Sequence, residues 1–359
     1  MGYAERRALI EELERLRRSR VIGYVLADRE TFPPGAPGFS AQLAPEPHLL
    51  FVDHLRSIGK VPRLDLFLYT RGGATDSVWP LVSLLREYCT EFAVIVPFRA
   101  HSGGTLICLG ADTVLMTEFA ELSPIDPTTG NQFNPADPTN PRTKFGISVE
   151  DVAAFFKLSE ERAGIRAEQN RLEVLRELTR QVHPLALGNV QRVYMQIRRL
   201  ARALIKSRKD SRVSRRAQDR IIRALTEEFY SHLHAITRTE AQDLMEEWIR
   251  CPTGDEEAAI WKLFDQYAMD LSLRDKFNVP AFMGDEPSNK YRAVGGFIDT
   301  TAGSHVFVTD VKVTQRPNIP PNINVQVPPG TAIPFEPWAS RTYDYGIVSQ
   351  GWVVGDEGA

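Results

Sequence analysis

The chain has 359 residues, 43% of them apolar and 25% charged, the balance of a folded protein with a sizeable core and a length suited to one main domain with appendages. No apolar run of 18 or more residues could cross a bilayer, and the charged start MGYAERRALIEELERLRRSR lacks the apolar segment of a signal peptide, so a cytoplasmic protein without a transmembrane segment is expected. The net charge is −3, but Arg192 to Arg223 holds twelve Lys or Arg against Asp210 and Asp219, a local +10 that leaves −13 elsewhere.

In chain order, Glu5 to Arg18 carries Leu9, Ile10, Leu13 and Leu16 at helical spacing, and VIGYVLA (21–27) reads as a buried strand. A Pro/Gly-rich loop, FPPGAPGF (32–39), leads to PHLLFVDHLRSIG (47–59), helical in period with a glycine stop. LDLFLYT (64–70), FAVIVP (92–97) and DTVLM (112–116) are strands by length and β-branched content, with helices VWPLVSLLREY (78–88) and GTLICLGA (104–111) between them. Strand, helix, strand, helix, strand at this spacing requires parallel pairing through right-handed crossovers. After Pro141 the pattern turns helical and charged: Ser148–Lys157, Ser159–Gln181, Pro184–Lys209, Val213–His232, Thr239–Ile249 and Glu256–Leu271. The end alternates in strand fashion through YRAVGGFIDT (291–300), SHVFVTDVKVTQ (304–315) and NINVQVPPG (322–330). The expected partition is an α/β core over 1–158, a helical region over 159–274 that completes it, and a β-rich appendage over 275–359.

One corner stands out. In FRAHSGGTLICLGAD, Ser102 falls where a strand turns into a helix at the C-terminal edge of a parallel sheet, where open α/β folds place ligands. A serine there is a helix N-cap or a nucleophile set near unpaired amides and the positive end of the helix dipole. TRGGATDS, one crossover upstream, is a second glycine-bearing strand end. Two such corners on neighbouring strands can aim the Gly73 and Gly103 N–H groups at one point, the requirement for an oxyanion hole.

The combination TRGG, AHSGGT, GADTVLM and AELSPIDPTTG, with HPLALGNVQR from His183, resembles the ClpP/crotonase-type serine peptidases. Within them it is most similar to the group of signal-peptide peptidase A and the serine dehydrogenase proteinases, over about Glu5 to His234. The resemblance implies a ClpP/crotonase-like parallel sheet with crossover helices and ATP-independent peptide hydrolysis through an acyl-enzyme on Ser102. Gly73 and Gly103 would be the oxyanion donors, with Gly72 beside them. Arg71 stands where Clp peptidases have proline, which would set a cation at the cleft rim. The histidine that serves Clp peptidases as base has no counterpart in SPIDPTTG. In the signal-peptide-peptidase branch the base is a lysine, and Lys144, 42 residues after Ser102, is the candidate, with Lys157 second. A lysine base needs burial to lower its pKa, which Phe133, Phe145 and Ile147 would supply. Otherwise Lys144 is a surface lysine.

His101, adjacent to Ser102, is read as lining the cleft, and Ser123 as a hydroxyl that orients the lysine. Asp126, with no histidine near it in sequence, is read as a turn former before Pro127. His232 and His234 lack further ligand types nearby, and Cys89, Cys108 and Cys251 have no metal spacing, so neither metal nor cofactor is expected and the thiols are read as buried and reduced. The basic stretch lacks interleaved aromatics and any nucleic-acid motif, which disfavours nucleic acid and leaves a solvated face or subunit contact. The expected partners are a peptide or protein substrate and, by analogy, further copies of the chain. The competing readings are an inactive ClpP-like binding or scaffold protein and a crotonase-like acyl-thioester enzyme.

Overall fold

A computed structural model describes residues 2–126, 128–138, 140, 143–209, 213–318 and 340–355. Its contacts divide the chain into two units: one of Leu43–Pro45 and Lys60–Thr253, the other of Met1–Gln42, Glu46–Gly59 and Gly254–Ala359.

The first unit carries the α/β sheet. Strands Val61–Tyr69, Cys89–Val96 and Thr113–Met116 run parallel, in register from Val61↔Cys89 to Phe67↔Ile95 and from Ala93↔Thr113 to Val96↔Met116. The short strand Ile249–Arg250 adds a further parallel edge beside Thr113–Met116. Leu64, Leu66, Phe67 and Leu68 are successive or alternate residues, all fully buried, so both sheet faces are covered and the strands read as continuous apolar runs. The crossovers are the helices Val78–Glu87 and Gly103–Leu109, the second buried along its whole length. Arg86 secures the turn that follows, donating to Gly110 O at 2.6 Å and pairing with Asp112 at 3.0 Å. A smaller sheet sets Arg99–Ala100 parallel to Glu121–Leu122, which pairs antiparallel with Ile236–Thr237.

The helical region differs from expectation at its breaks. The segment expected as one helix over Ser159–Gln181 is a π-helical turn, Leu158–Arg162, and a separate helix, Glu168–Gln181, with Gly164 at φ +68° between them. The next helix, Pro184–Lys206, begins at a cap in which His183 Nδ1 accepts from Leu185 N at 3.1 Å, and it buries Ala186, Val190, Ile197, Ala201, Leu204 and Ile205 as one stripe. The helix expected to reach His232 ends at Arg223, followed by a π-helical turn, Ala224–Glu228. Acids answer much of the basic stretch: Arg198 pairs with Glu227, Arg202 with Asp219, Arg220 with Glu246 and Arg223 with Glu228.

The second unit differs most from the expected partition. Strand Arg20–Leu26 pairs antiparallel with Ser288–Thr300, which turns into Gly303–Asn318, and that strand pairs with Ser340–Val354. The residues expected as a C-terminal appendage therefore share a unit with the N-terminal helix Tyr3–Arg17 and strand. A buried network ties the two ends together: Arg6 Nε donates to Asp299 Oδ2 at 2.7 Å and Nη1 to Asp270 at 2.5 Å, while the Tyr267 hydroxyl donates to Asp299 at 2.9 Å. The final strand was not anticipated, and the strand expected over 322–330 lies outside the described residues. Among the described residues no helix is long and apolar enough to cross a membrane. Cys108 is buried, Cys89 half-buried and Cys251 exposed, so the third thiol departs from the buried reading.

Candidate active site

The two glycine corners meet. Thr70 N–H donates to Arg99 O and His101 N–H to Thr70 O, both at 3.0 Å, joining the ends of the two strands directly. Beyond this bridge the backbone of Gly72 runs so close to Ser102 that a Cβ on Gly72 would come 2.7 Å from Ser102 Cβ and 2.9 Å from His101 O. Gly72 and Gly73 have φ of +99° and +144°, conformations that favour glycine. Leu43 fixes the upstream corner from its other side, donating to Gly72 O at 2.7 Å and accepting from Ala74 N–H at 2.8 Å. These bonds pass over Gly73, whose amide has no acceptor among the described residues, and the same holds for the Gly103 amide at the start of its helix. A Cβ on Gly103 would lie 3.7 Å from Gly73 N, so the two free donors are neighbours.

Ser102 is half-exposed at this junction, with φ +48° and ψ −108°. An ordinary N-cap has extended backbone and a hydroxyl that accepts from the helix's first amides. Ser102 does neither, and its side chain makes no capping bond. A non-glycine residue in such a conformation costs about 1–3 kcal/mol and needs support from its surroundings.

Two buried hydroxyls lie next to Ser102 in the hydrogen-bond network. Ser123, 2% exposed, accepts from Ser102 N–H through Oγ at 2.8 Å and donates to Pro124 O at 3.1 Å. Thr105 lies within 2.9 Å of both Ala100 O and Ser123 O and accepts from Ser123 N–H at 3.1 Å. Thr105 was missed in the sequence, where the signal was a lone hydroxyl in the apolar helix GTLICLG that had to find partners once buried.

His101 is half-buried, 3.0 Å from the Glu121 carboxylate, which Arg99 also engages at 2.8 Å. Burial pushes its imidazole down to about 4; Glu121 opposes this, while the positive charges of Arg71 and Arg99 add to it, so the ring is neutral at pH 7. Arg71 is exposed at the corner, in keeping with a cation at the rim.

Lys144 is exposed, its backbone bridged to Ala136, and Phe145 beside it is exposed as well. The dry surroundings required of a lysine base are thus not present in the single chain. Lys157 is exposed too. Asp126 does have a histidine: His232 Nδ1 lies 3.0 Å from its carboxylate, 106 residues away in sequence, and that bond raises the imidazole pKa. Asp126 therefore has a histidine to orient, contrary to the expectation, a pairing that only the folded chain could reveal.

The parallel α/β sheet with its crossover helices is consistent with a ClpP-like fold. Residues 2–140 match the family of ClpP-like SDH-type serine proteinases. Two uncharacterized proteins of Methanocaldococcus jannaschii are similar: one is 42% identical over 79 residues, 21% of this chain and 28% of that protein. The other is 32% identical over 124 residues, 34% of this chain and 41% of its own length. The chain thus spans less than half the length of either relative. Among solved structures, a mutant of a membrane-bound stomatin-specific protease matches with a TM-score of 0.31 and 12% identity, over 59% of this chain and 75% of that one.

Proposed function

We propose that the chain is an ATP-independent serine endopeptidase with Ser102 as its nucleophile. The observation that carries this reading is a serine held in a strained conformation, free of capping duty, beside two amides with no acceptor. In the first step Ser102 Oγ bonds to the substrate's carbonyl carbon while its proton passes to a base, and the carbonyl oxygen becomes an oxyanion received by the Gly73 and Gly103 N–H groups. Collapse breaks the peptide C–N bond, the departing amine takes the proton, and water then releases the acyl group from the serine.

Lys144 Nζ is the base in this reading, and it becomes desolvated when substrate or a second copy of the chain covers it. Homo-oligomerisation is supported by the helix Glu168–Gln181, which has no buried residue and leaves Leu172 and Leu175 exposed. The His232–Asp126 pair favours a second assignment of the base, because a carboxylate holding Nδ1 leaves Nε2 to take a proton.

Labelling with a fluorophosphonate probe, combined with peptide turnover, tests both. Wild-type protein should label and Ser102→Ala should not. Lys144→Ala should lose at least a hundredfold in rate while His232→Ala retains it, and the reverse pattern would transfer the role to histidine. A folded wild-type protein that neither labels nor cleaves would leave a binding or scaffold protein.

A further inference from the structure

The buried hydroxyls beside Ser102 sit where the sequence suggested that Ser123 would orient a lysine, and their bonding gives them another task. We infer that Ser123 and Thr105 are positioning residues that clamp the backbone of Ser102, and that Ser123 does not donate to the catalytic base. This inference rests on the reading of Ser102 as a nucleophile.

A serine hydroxyl has one proton. That of Ser123 is committed to Pro124 O at 3.1 Å, and one of the oxygen's lone pairs takes the Ser102 amide at 2.8 Å. At 2% exposure nothing from solvent competes for either bond. Ser123 itself is held by Thr105, which accepts from Ser123 N–H at 3.1 Å and lies within 2.9 Å of Ser123 O. Since the same Thr105 hydroxyl is 2.9 Å from Ala100 O, it connects the strand end before Ser102 to the segment after Leu122. The helix Gly103–Leu109 carries Thr105 one turn beyond Ser102, so the clamp closes on both sides of the strained residue.

The clamp has two consequences for chemistry. It keeps Ser102 at φ +48°, aiming the hydroxyl away from the capping position. It also occupies the Ser102 N–H, so an incoming oxyanion meets only the Gly73 and Gly103 amides. Loss of the Ser123 oxygen would let the corner relax toward an ordinary N-cap, in which the Ser102 hydroxyl turns back onto the helix.

The test uses the full chain with Ser123→Ala, Ser123→Thr, Thr105→Val and Thr105→Ser. Two quantities are read: the fluorophosphonate labelling constants, and hydrogen exchange at the Ser102 amide. Ser123→Ala and Thr105→Val should slow the maximal labelling rate at least tenfold with little change in the probe's half-saturating concentration, and should speed exchange at Ser102 at least tenfold. The hydroxyl-preserving variants should restore both. Wild-type labelling and exchange in folded Ser123→Ala would overturn the clamp. Should Ser123→Ala fail to fold, Thr105→Val against Thr105→Ser decides by the same two readings. If wild-type protein does not label, the nucleophile reading fails by itself, and amide exchange alone judges the clamp.

Discussion

Gly72→Ala provides the most direct check on the geometry of the corner. The new methyl would meet Ser102 Cβ at 2.7 Å, His101 O at 2.9 Å and Gly103 N at 3.2 Å, from a residue with φ +99°. Carbon atoms in contact prefer about 3.5–4.0 Å, so the first two approaches are true overlaps, one of them with backbone that cannot swing aside. Backbone strain costs about 1–3 kcal/mol and overpacking about as much again, for a total of ~2–6 kcal/mol. Gly35 separates the two contributions: at φ +101° it has the same backbone problem, but nothing lies within 4 Å of its added methyl. Gly35→Ala should therefore cost only the strain, about 1–3 kcal/mol, and leave Ser102 labelling at the wild-type rate. Denaturant unfolding, paired with the labelling rate, measures both effects. The reasoning is refuted if Gly72→Ala is no less stable than Gly35→Ala and still labels normally.

Arg6→Met should destabilise the protein by about 3–5 kcal/mol, because it strands two carboxylates, one of them fully buried; a loss below ~1 kcal/mol in denaturant unfolding would show that the network is not closed. His54 is buried against Thr300 and His305, and burial, with His305 adding, pushes its imidazole down to about 4 from 6.5. The unfolded chain therefore binds a proton first on acidification, so stability is intact above pH 6.5 and falls as pH drops toward 4, by up to about 3 kcal/mol; His54→Asn should flatten that part of the stability curve. Ser102→Gly should abolish labelling yet raise stability by about 1 kcal/mol, since relief of strain exceeds the extra chain entropy of glycine, and a destabilised variant would contradict the strain.

The strands of the α/β sheet were legible because burial on both faces leaves long apolar runs, and the corners because glycine is needed where backbones nearly touch. Ser102 was legible as an address but not as a conformation: its positive φ comes from Ser123 and Thr105, which lie up to 21 residues away. Leu43 holding Gly72 and Ala74, and Asp126 holding His232, are pairings between segments with no local signature. The grouping of the two chain ends into one unit was hidden for a related reason. The alternation in Ser288–Thr300 announces a strand, but not that its neighbour is Arg20–Leu26, near the other end of the chain. For Lys144, closeness in sequence did not translate into burial: Phe145 and Ile147 adjoin it, yet Lys144 and Phe145 are both exposed.

A serine that served only to start a helix would have no reason to be built this way. Capping is available to any serine with extended backbone and carries no strain, and asparagine or glycine would fill a positive-φ corner at lower cost. Here the unfavourable option is maintained by several independent features: a glycine at 72 to admit Ser102 within 2.7 Å of where a methyl would stand, a buried hydroxyl on its amide, and a second hydroxyl bracing the first. None of these is a capping bond, and among the described residues the Ser102 side chain stays out of capping beside two amides without acceptors. Strain retained where it weakens the fold is explained by what the strained atom does, and an oxygen presented beside two free amides is suited to attack a carbonyl.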